Sequence, residues 1–327
     1  MSDLIEVEVR AVKKESARVN SYLLVAVDGS ELPAAEAGAH IDVHVTDASG
    51  NAFVRQYSLA QGANTQGTNT QGYRIGVQRE AEGKGGSKAV HDTLKEGSRL
   101  FISAPRNLFA LNDDAIHSIL MGGGIGITPV LSMAWALHAQ GRSFELHYSV
   151  RSLAEAAFIG ELHSAPFVEN VHVYFGHQGS RVDTLAVLAN RSAADHLYAC
   201  GPVGYMDSIW ADAELMGWTS DRMHREYFDA PATASDVEET PFVVRLQSTG
   251  VEYQIPADKS VAQVLLNAGV DVPVSCEKGI CGSCMCKVVD GTPDHRDLYQ
   301  TEEELASNQF FTPCCSRSKS PVLVLDM

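Results

Sequence analysis

Four cysteines constrain this chain more than any other feature. Cys276, Cys281 and Cys284 stand in the spacing C-x4-C-x2-C, and Cys314 follows thirty residues after Cys284. That is the plant-type spacing for a [2Fe–2S] cluster, in which four thiolates hold two bridged irons at a potential of about −400 mV. Between the cysteines the chain reads Glu277-Lys278-Gly279-Ile280 and Gly282-Ser283. Small residues there let backbone N–H groups approach the bridging sulfides. The competing reading is a structural zinc site. Such sites show paired C-x2-C knuckles or Cys/His pairs, whereas this chain has a single C-x2-C. A disulfide framework fits poorly, because seven cysteines is an odd number and Met1–Glu6 opens no apolar export stretch. No run approaches membrane-spanning length. The expectation is a soluble, cytoplasmic chain that moves single electrons.

A chain of 327 residues is too long for one ordinary core, and two or three domains are expected. A net charge of −16 argues against a nucleic-acid groove. The N-terminal third is nearly neutral, which suits an anionic cofactor. The C-terminal third is acidic, which suits a partner with a basic face.

Residues 1–112 read as short strands, with alternation at Glu6–Val9, Ile41–Val45 and Tyr73–Val77, and predict a small antiparallel β-barrel. The polar repeat at 61–72 reads as a hairpin tip without chemistry. Residues 113–228 alternate strand and helix: strands at Ile116–Met121, Phe144–Val150, Val171–Phe175 and His196–Cys200, and a helix at Pro129–Gln140. This is the pattern of an α/β domain with a parallel sheet. Residues 229–240 are small, polar and acidic, as in a linker. Residues 241–327 give a hairpin (Phe242–Leu246, Tyr253–Ile255), a helix from Ser260 to Gly269, the cysteine loop and a closing strand at Val322–Leu325. That predicts an α+β β-grasp domain.

Three motifs precede the cysteines. Arg55-Gln56-Tyr57-Ser58 sits at a strand end. Lys84-Gly85-Gly86-Ser87-Lys88 precedes a helical stretch at Ala89–Leu94, and glycines before a helix expose N–H donors to a phosphate; a β-turn with an N-cap reads equally well. Gly122-Gly123-Gly124-Ile125-Gly126-Ile127-Thr128-Pro129 follows a buried strand and opens a helix, where a dinucleotide pyrophosphate lies in parallel-sheet folds. It is not a G-x-G-x-x-G fingerprint. Cys200-Gly201-Pro202 closes a later strand of the same sheet.

Taken in order, these motifs resemble the oxygenase reductases of the phthalate dioxygenase reductase and vanillate demethylase reductase group, within the ferredoxin–NADP reductase superfamily. The resemblance covers nearly the whole chain. It implies FMN, with Arg55, Lys84 and Gly85-Gly86-Ser87 at its phosphate end and Tyr57 and Ser58 along the isoalloxazine. Lys84 stands where relatives often have Arg, which replaces a bidentate contact by a point charge. It implies NADH on Gly123, Gly124, Gly126, Thr128, Pro129 and Cys200-Gly201-Pro202. It places Phe228, at the end of Glu226-Tyr227-Phe228, over the flavin face, so that Ser58 and Phe228 are the catalytic candidates. Arg151 after the strand Phe144–Val150 suits a 2′-phosphate and hence NADPH, whereas nearby acids and the family habit favour NADH. For the last cluster ligand spacing barely separates Cys314 from Cys315, whose side chains point to opposite sides of a strand. The family pattern selects Cys314, leaving Cys315 and Cys286 as spare thiols.

The implied activity is hydride transfer from NADH to FMN. Single electrons then pass through the [2Fe–2S] cluster to a Rieske non-haem iron oxygenase acting on a small aromatic acid or quaternary amine. Such a chain needs no acid–base residue for the hydride step. A monomer is the family expectation. Two other readings stand beside it: a reductase for a different monooxygenase such as a diiron type, and a ferredoxin-type carrier with a non-catalytic reductase body.

Overall fold

The computed structural model describes residues 4–60, 72–83, 85–228 and 239–327. The chain divides into two compact units, Met1–Phe228 and Asp229–Met327.

The first unit begins with six strands: β1 (Ile5–Lys14), β2 (Val19–Ala26), β3 (His40–Thr46), β4 (Ala52–Ser58), β5 (Tyr73–Gln78) and β6 (Arg99–Ile102). They form one antiparallel sheet in the order β4-β3-β6-β1-β2-β5. A bridge from Leu59 to Ile75 brings the end of β4 onto β5, curling the sheet into a barrel. Alternation drives this, since Val7, Val9, Tyr22, Leu24, Ile41, Val43, Tyr73, Ile75 and Val77 all point inward and are buried. Helix α1 (Gly86–Thr93) adds Ala89 and Val90 to that core. It starts at Gly86, three residues before the Ala89 read from sequence, because Gly85 takes a left-handed φ of 91° and turns the chain into the helix early.

Five parallel strands follow: β7 (His117–Gly123), β8 (Ser143–Val150), β9 (Val171–Phe175), β10 (Asp195–Cys200) and β11 (Met223–Glu226). Their order is β11-β10-β7-β8-β9. All six residues of β10 are buried, the mark of a strand covered on both faces. Helix α2 (Ile127–Ala139) and the short α3 (Ile159–Ser164) cover one face, against Leu120, Leu146, Tyr148 and Tyr198. Helices α4 (Thr184–Leu188) and α5 (Val203–Leu215) lie with the opposite cluster, built on Ile119, Met121, Leu197 and Ala199. The chain runs outward from β7 through β8 to β9, then returns to the other side of β7 at β10. The switch point therefore lies between β7 and β10, and ligands bind such sheets outside the carboxyl ends of those strands. Gly123 and Cys200 are the residues that end them.

The second unit holds β12 (Phe242–Leu246), β13 (Glu252–Ile255), α6 (Val261–Asn267), β14 (Cys286–Asp290), β15 (Pro293–Asp294), α7 (Glu302–Ser307), β16 (Phe310–Phe311), β17 (Arg317–Ser318) and β18 (Val322–Asp326). The main sheet has the order β13-β12-β18-β14-β16, and β15 pairs with β17 apart from it. β12 and β18 are parallel, and the other pairs of the main sheet are antiparallel. Ser260 caps α6 in a reciprocal pair with Gln263, which fixes where that helix begins. Among the described residues no helix is long and apolar enough to cross a membrane. The polar repeat at 61–71, Lys84 and linker residues 229–238 lie outside the described residues.

Candidate functional site

β4 sets Arg55 against the opening of α1 and carries Tyr57 and Ser58 at its carboxyl end. The Arg55 side chain lies against Gly86, where a Cβ would come within 2.6 Å of its Cγ. Its guanidinium stands 5.5 Å from the centroid of the Phe53 ring, and Nη1 donates to the Val54 carbonyl at 2.7 Å. The first amides of α1, at Gly86 and Ser87, have no partner within the helix and are natural anion donors. The Ser87 hydroxyl accepts from the Glu80 amide at 3.1 Å. A cation, N-terminal helix amides and a hydroxyl at one place fit the phosphate end of a flavin mononucleotide. Tyr57 packs against the barrel core, and burial pushes its phenol well up.

The barrel and the parallel sheet meet at Ser58. Its hydroxyl donates to Glu226 Oε2 at 2.9 Å, from the end of β4 to the end of β11. Burial pushes the Glu226 carboxyl up to about 7, and the Ser58 bond opposes that shift. His40 Nδ1 lies 3.9 Å from the other oxygen, too far for a hydrogen bond. Burial, then Arg106, lowers the His40 imidazole to about 4, so it is neutral beside Glu226 near pH 7. The Cys200 thiol is fully buried and pushed up by burial and by Glu226. Sequence reasoning quoted Glu226 only as part of an aromatic terminus and missed His40. Neither belongs to a local motif: the pairing of β3 with β4 sets His40 opposite Ser58, and the pairing of β11 with β10 sets Glu226 beside Cys200.

The glycine run is shaped by this meeting. A Cβ on Gly126 would sit 2.2 Å from the Cys200 carbonyl oxygen, so no side chain fits where the loop crosses the end of β10. Gly123 and Gly201 face each other in the same crossing, beside Pro202 and Tyr205. Gly124 has a left-handed φ of 55° and open space beside its Cα. Thr128 and Pro129 are buried at the start of α2. The Thr128 hydroxyl donates to the Ile125 carbonyl at 3.0 Å, and its methyl packs toward Gly76 of β5. Arg74 of β5 pairs with Glu161 of α3 at 2.7 Å, a second tie between barrel and sheet. Phe228 is partly buried against the α2-side core. Arg151, just past β8, is exposed, and its carbonyl accepts from the His177 amide at 2.9 Å.

In the second unit the cysteine loop is wound by left-handed residues at Glu277, Gly279 and Gly282. At Gly282 both φ, 67°, and space demand glycine, since a Cβ would meet the Tyr299 ring at 2.4 Å. The winding turns amides onto sulfur: Lys278 N reaches Cys276 Sγ at 3.3 Å and Ser283 N reaches Cys281 Sγ at 3.5 Å. The Cys314 thiol is in side-chain contact with Cys276, Cys284 and Cys315, and that of Cys281 with Cys276. Four thiols are thus gathered with N–H donors around them, and they fit an iron–sulfur cluster. The Cys315 thiol touches that of Cys314 and lies against Gly279, Thr312 and Ser316, whereas it is the Cys314 thiol that reaches Cys276 and Cys284. Cys286 donates to the Phe311 carbonyl, and burial pushes its thiol up to about 12. Asp297, which no motif marked, is buried under the loop and accepts from Thr312, Gln300 and Ser316.

Known proteins agree with this reading. Residues 244–319 match the 2Fe-2S iron-sulfur cluster binding domain. The vanillate O-demethylase oxidoreductase of Pseudomonas sp. (strain HR199 / DSM 7063) is 46% identical over 326 residues, covering 99% of this chain and 100% of that protein. The solved structure of phthalate dioxygenase reductase, described as modular for electron transfer from pyridine nucleotides to [2Fe-2S], superposes with a TM-score of 0.75 at 38% identity. It covers 99% of this chain and 98% of that one. An intact type IV self-sufficient cytochrome P450 monooxygenase gives a TM-score of 0.83 at 34% identity, and this chain spans 41% of that protein's length. The chain therefore belongs to the phthalate dioxygenase reductase and vanillate demethylase reductase family, and is an iron–sulfur flavoprotein oxidoreductase of FMN, NADH and a [2Fe–2S] cluster.

Proposed function

We propose that this chain is the NADH-dependent reductase component of a two-component Rieske non-haem iron oxygenase, acting as a monomer. The observation that carries the reading is the Ser58–Glu226 contact, which joins the end of a barrel strand to the carboxyl edge of the parallel sheet at β11, the neighbour of the switch-point strand β10. In this reading residues 1–112 hold FMN, 113–228 hold NADH, 229–240 link, and 241–327 hold the cluster on Cys276, Cys281, Cys284 and Cys314. When bound, FMN takes two electrons from the nicotinamide and releases them singly to the cluster, which carries them one at a time.

The chain's own residues bind and orient. Arg55, Lys84 and Gly85-Gly86-Ser87 hold the phosphate, and Tyr57 lines the ring. Gly123, Gly124, Gly126, Thr128, Pro129 and Cys200-Gly201-Pro202 shape the nucleotide edge, Arg151 stands at its outer rim, and Phe228 covers the flavin face. Glu226, which accepts from Ser58 Oγ, takes up and releases its proton near neutral pH.

Anaerobic NADH should bleach both the flavin and the cluster of the whole chain. Residues 1–228 made alone should keep FMN and reduce ferricyanide with NADH, yet fail to reduce a Rieske oxygenase. A fragment that reduces the oxygenase as fast as the whole chain would sink the assignment of roles. The likeness to a self-sufficient P450 supports a second reading, a haem monooxygenase as partner. Faster reduction of such a protein than of a Rieske oxygenase would decide for it.

A further inference from the structure

One side-chain cluster in the parallel sheet takes no part in the reaction proposed above. β8 and β9 are neighbours, with His147 opposite His172, and β9 is the outermost strand. Glu145 stands two residues before His147 on β8 and so shares its face. One donor atom from each of Glu145, His147 and His172 lies within 4.8 Å of the others.

The state of His147 separates this group from an ordinary polar cluster. His147 is 3% exposed. Its Nδ1 lies 3.0 Å from the Tyr174 hydroxyl oxygen. Its Nε2 is buried and has no hydrogen-bond partner. The facing acceptor, Glu145 Oε2, is 3.6 Å away, beyond hydrogen-bond length. With the Nδ1 proton given to Tyr174, the Nε2 lone pair points at a carboxylate, and two acceptors face one another across a gap that suits a cation. An outer oxygen partner on one ring nitrogen and a free lone pair on the other is the arrangement of a metal-binding histidine. The second Glu145 oxygen is held by Arg191, with His117 Nε2 3.8 Å off, which fixes the carboxylate and leaves Oε2 toward His147. His172 stacks on His147 with ring centroids 4.9 Å apart and is exposed.

We propose that Glu145, His147 and His172 form a zinc-type divalent transition-metal site that clips the edge strand β9 to β8. Two imidazoles and a carboxylate are the donor set of a three-ligand tetrahedral zinc site, with the fourth position left to water. Magnesium and calcium, which take oxygen ligands, do not suit it. β8 runs on into Arg151 and β9 into His177, whose backbones are hydrogen-bonded, so an ion here also steadies the outer rim of the nucleotide edge.

The test uses untagged protein loaded with FMN and cluster, so that the loop cysteines are occupied. After exposure to Zn²⁺ and removal of the excess, it should retain one zinc per chain beyond its iron. Zinc-edge X-ray absorption should show nitrogen and oxygen neighbours at about 2.0–2.1 Å and no sulfur. His172→Gln, at an exposed position, should keep the visible spectrum and lower zinc affinity by about tenfold or more. Glu145→Gln should do the same. Absence of retained zinc, a sulfur shell, or equal affinity in wild type and His172→Gln would each overturn the site.

Discussion

A proton on Glu226 has consequences that can be measured directly. Folded Glu226 keeps its proton up to about pH 7, while an unfolded glutamate loses it near its ordinary value of 4.5. Between these values the folded state binds the extra proton, so the stability contributed by Glu226 falls as pH rises through that window and levels off above it. The full loss is at most about 3 kcal/mol. His40 opposes it: its folded value of about 4 lies below the ordinary 6.5, so over that range the unfolded state binds the extra proton and the His40 contribution rises with pH. Only a comparison with a Glu226 variant isolates the Glu226 part. Glu226→Gln removes the titration. Its melting temperature should gain on wild type from pH 5 to pH 8, and a constant difference would show that Glu226 does not titrate there. The cysteines give a second test at this scale. Cys314→Ala should lose iron and the reduced-state EPR signal while keeping FMN. Cys315→Val and Cys286→Ala should keep the cluster, because it is the Cys314 thiol that contacts Cys276 and Cys284, while Cys286 donates to the Phe311 carbonyl. A cluster that survives in Cys314→Ala and is absent from Cys315→Val would reverse the assignment. Spacing left 314 and 315 open in the sequence, and the contact of the Cys314 thiol with Cys276 and Cys284 separates them.

Among the elements, the glycine run shows where sequence reasoning succeeds and where it stops. Its position between a buried strand and a helix was legible, because Ile119–Met121 and the α2 residues carry plain apolar patterns. The extension of β7 through Gly122 and Gly123 was not. Glycine weakens an isolated strand, and here pairing of Gly122 with Cys200 overrides that preference. The start of α1 at Gly86 was missed for a similar reason, since glycine is a poor helix former and the turn is set by its neighbour. The four-residue β6 and the Asp297 network carry no periodic signal at all. Gly126→Ala tests the crossing. Its methyl would overlap the Cys200 carbonyl, and overpacking costs about 1–3 kcal/mol. The variant should bind NADH more weakly in titrations and melt earlier, while FMN content holds. Wild-type nucleotide affinity would show that the loop crosses β10 elsewhere.

At the scale of the molecule, β18 lies inside its sheet, between β12 and β14. Its partners were made long before it. β12 ends at Leu246 and β14 at Asp290, so both wait with open edges until residues 322–326 arrive. Contacts so distant in sequence form slowly, whereas the unit Met1–Phe228 contains all of its own strands and can fold first during synthesis. Cluster insertion should thus come after translation of the second unit. A chain stopped at residue 321 should carry FMN and lack iron, and retention of the cluster in that truncation would refute this order of events. The last strand is a keystone, and the protein becomes a one-electron donor only when it is set.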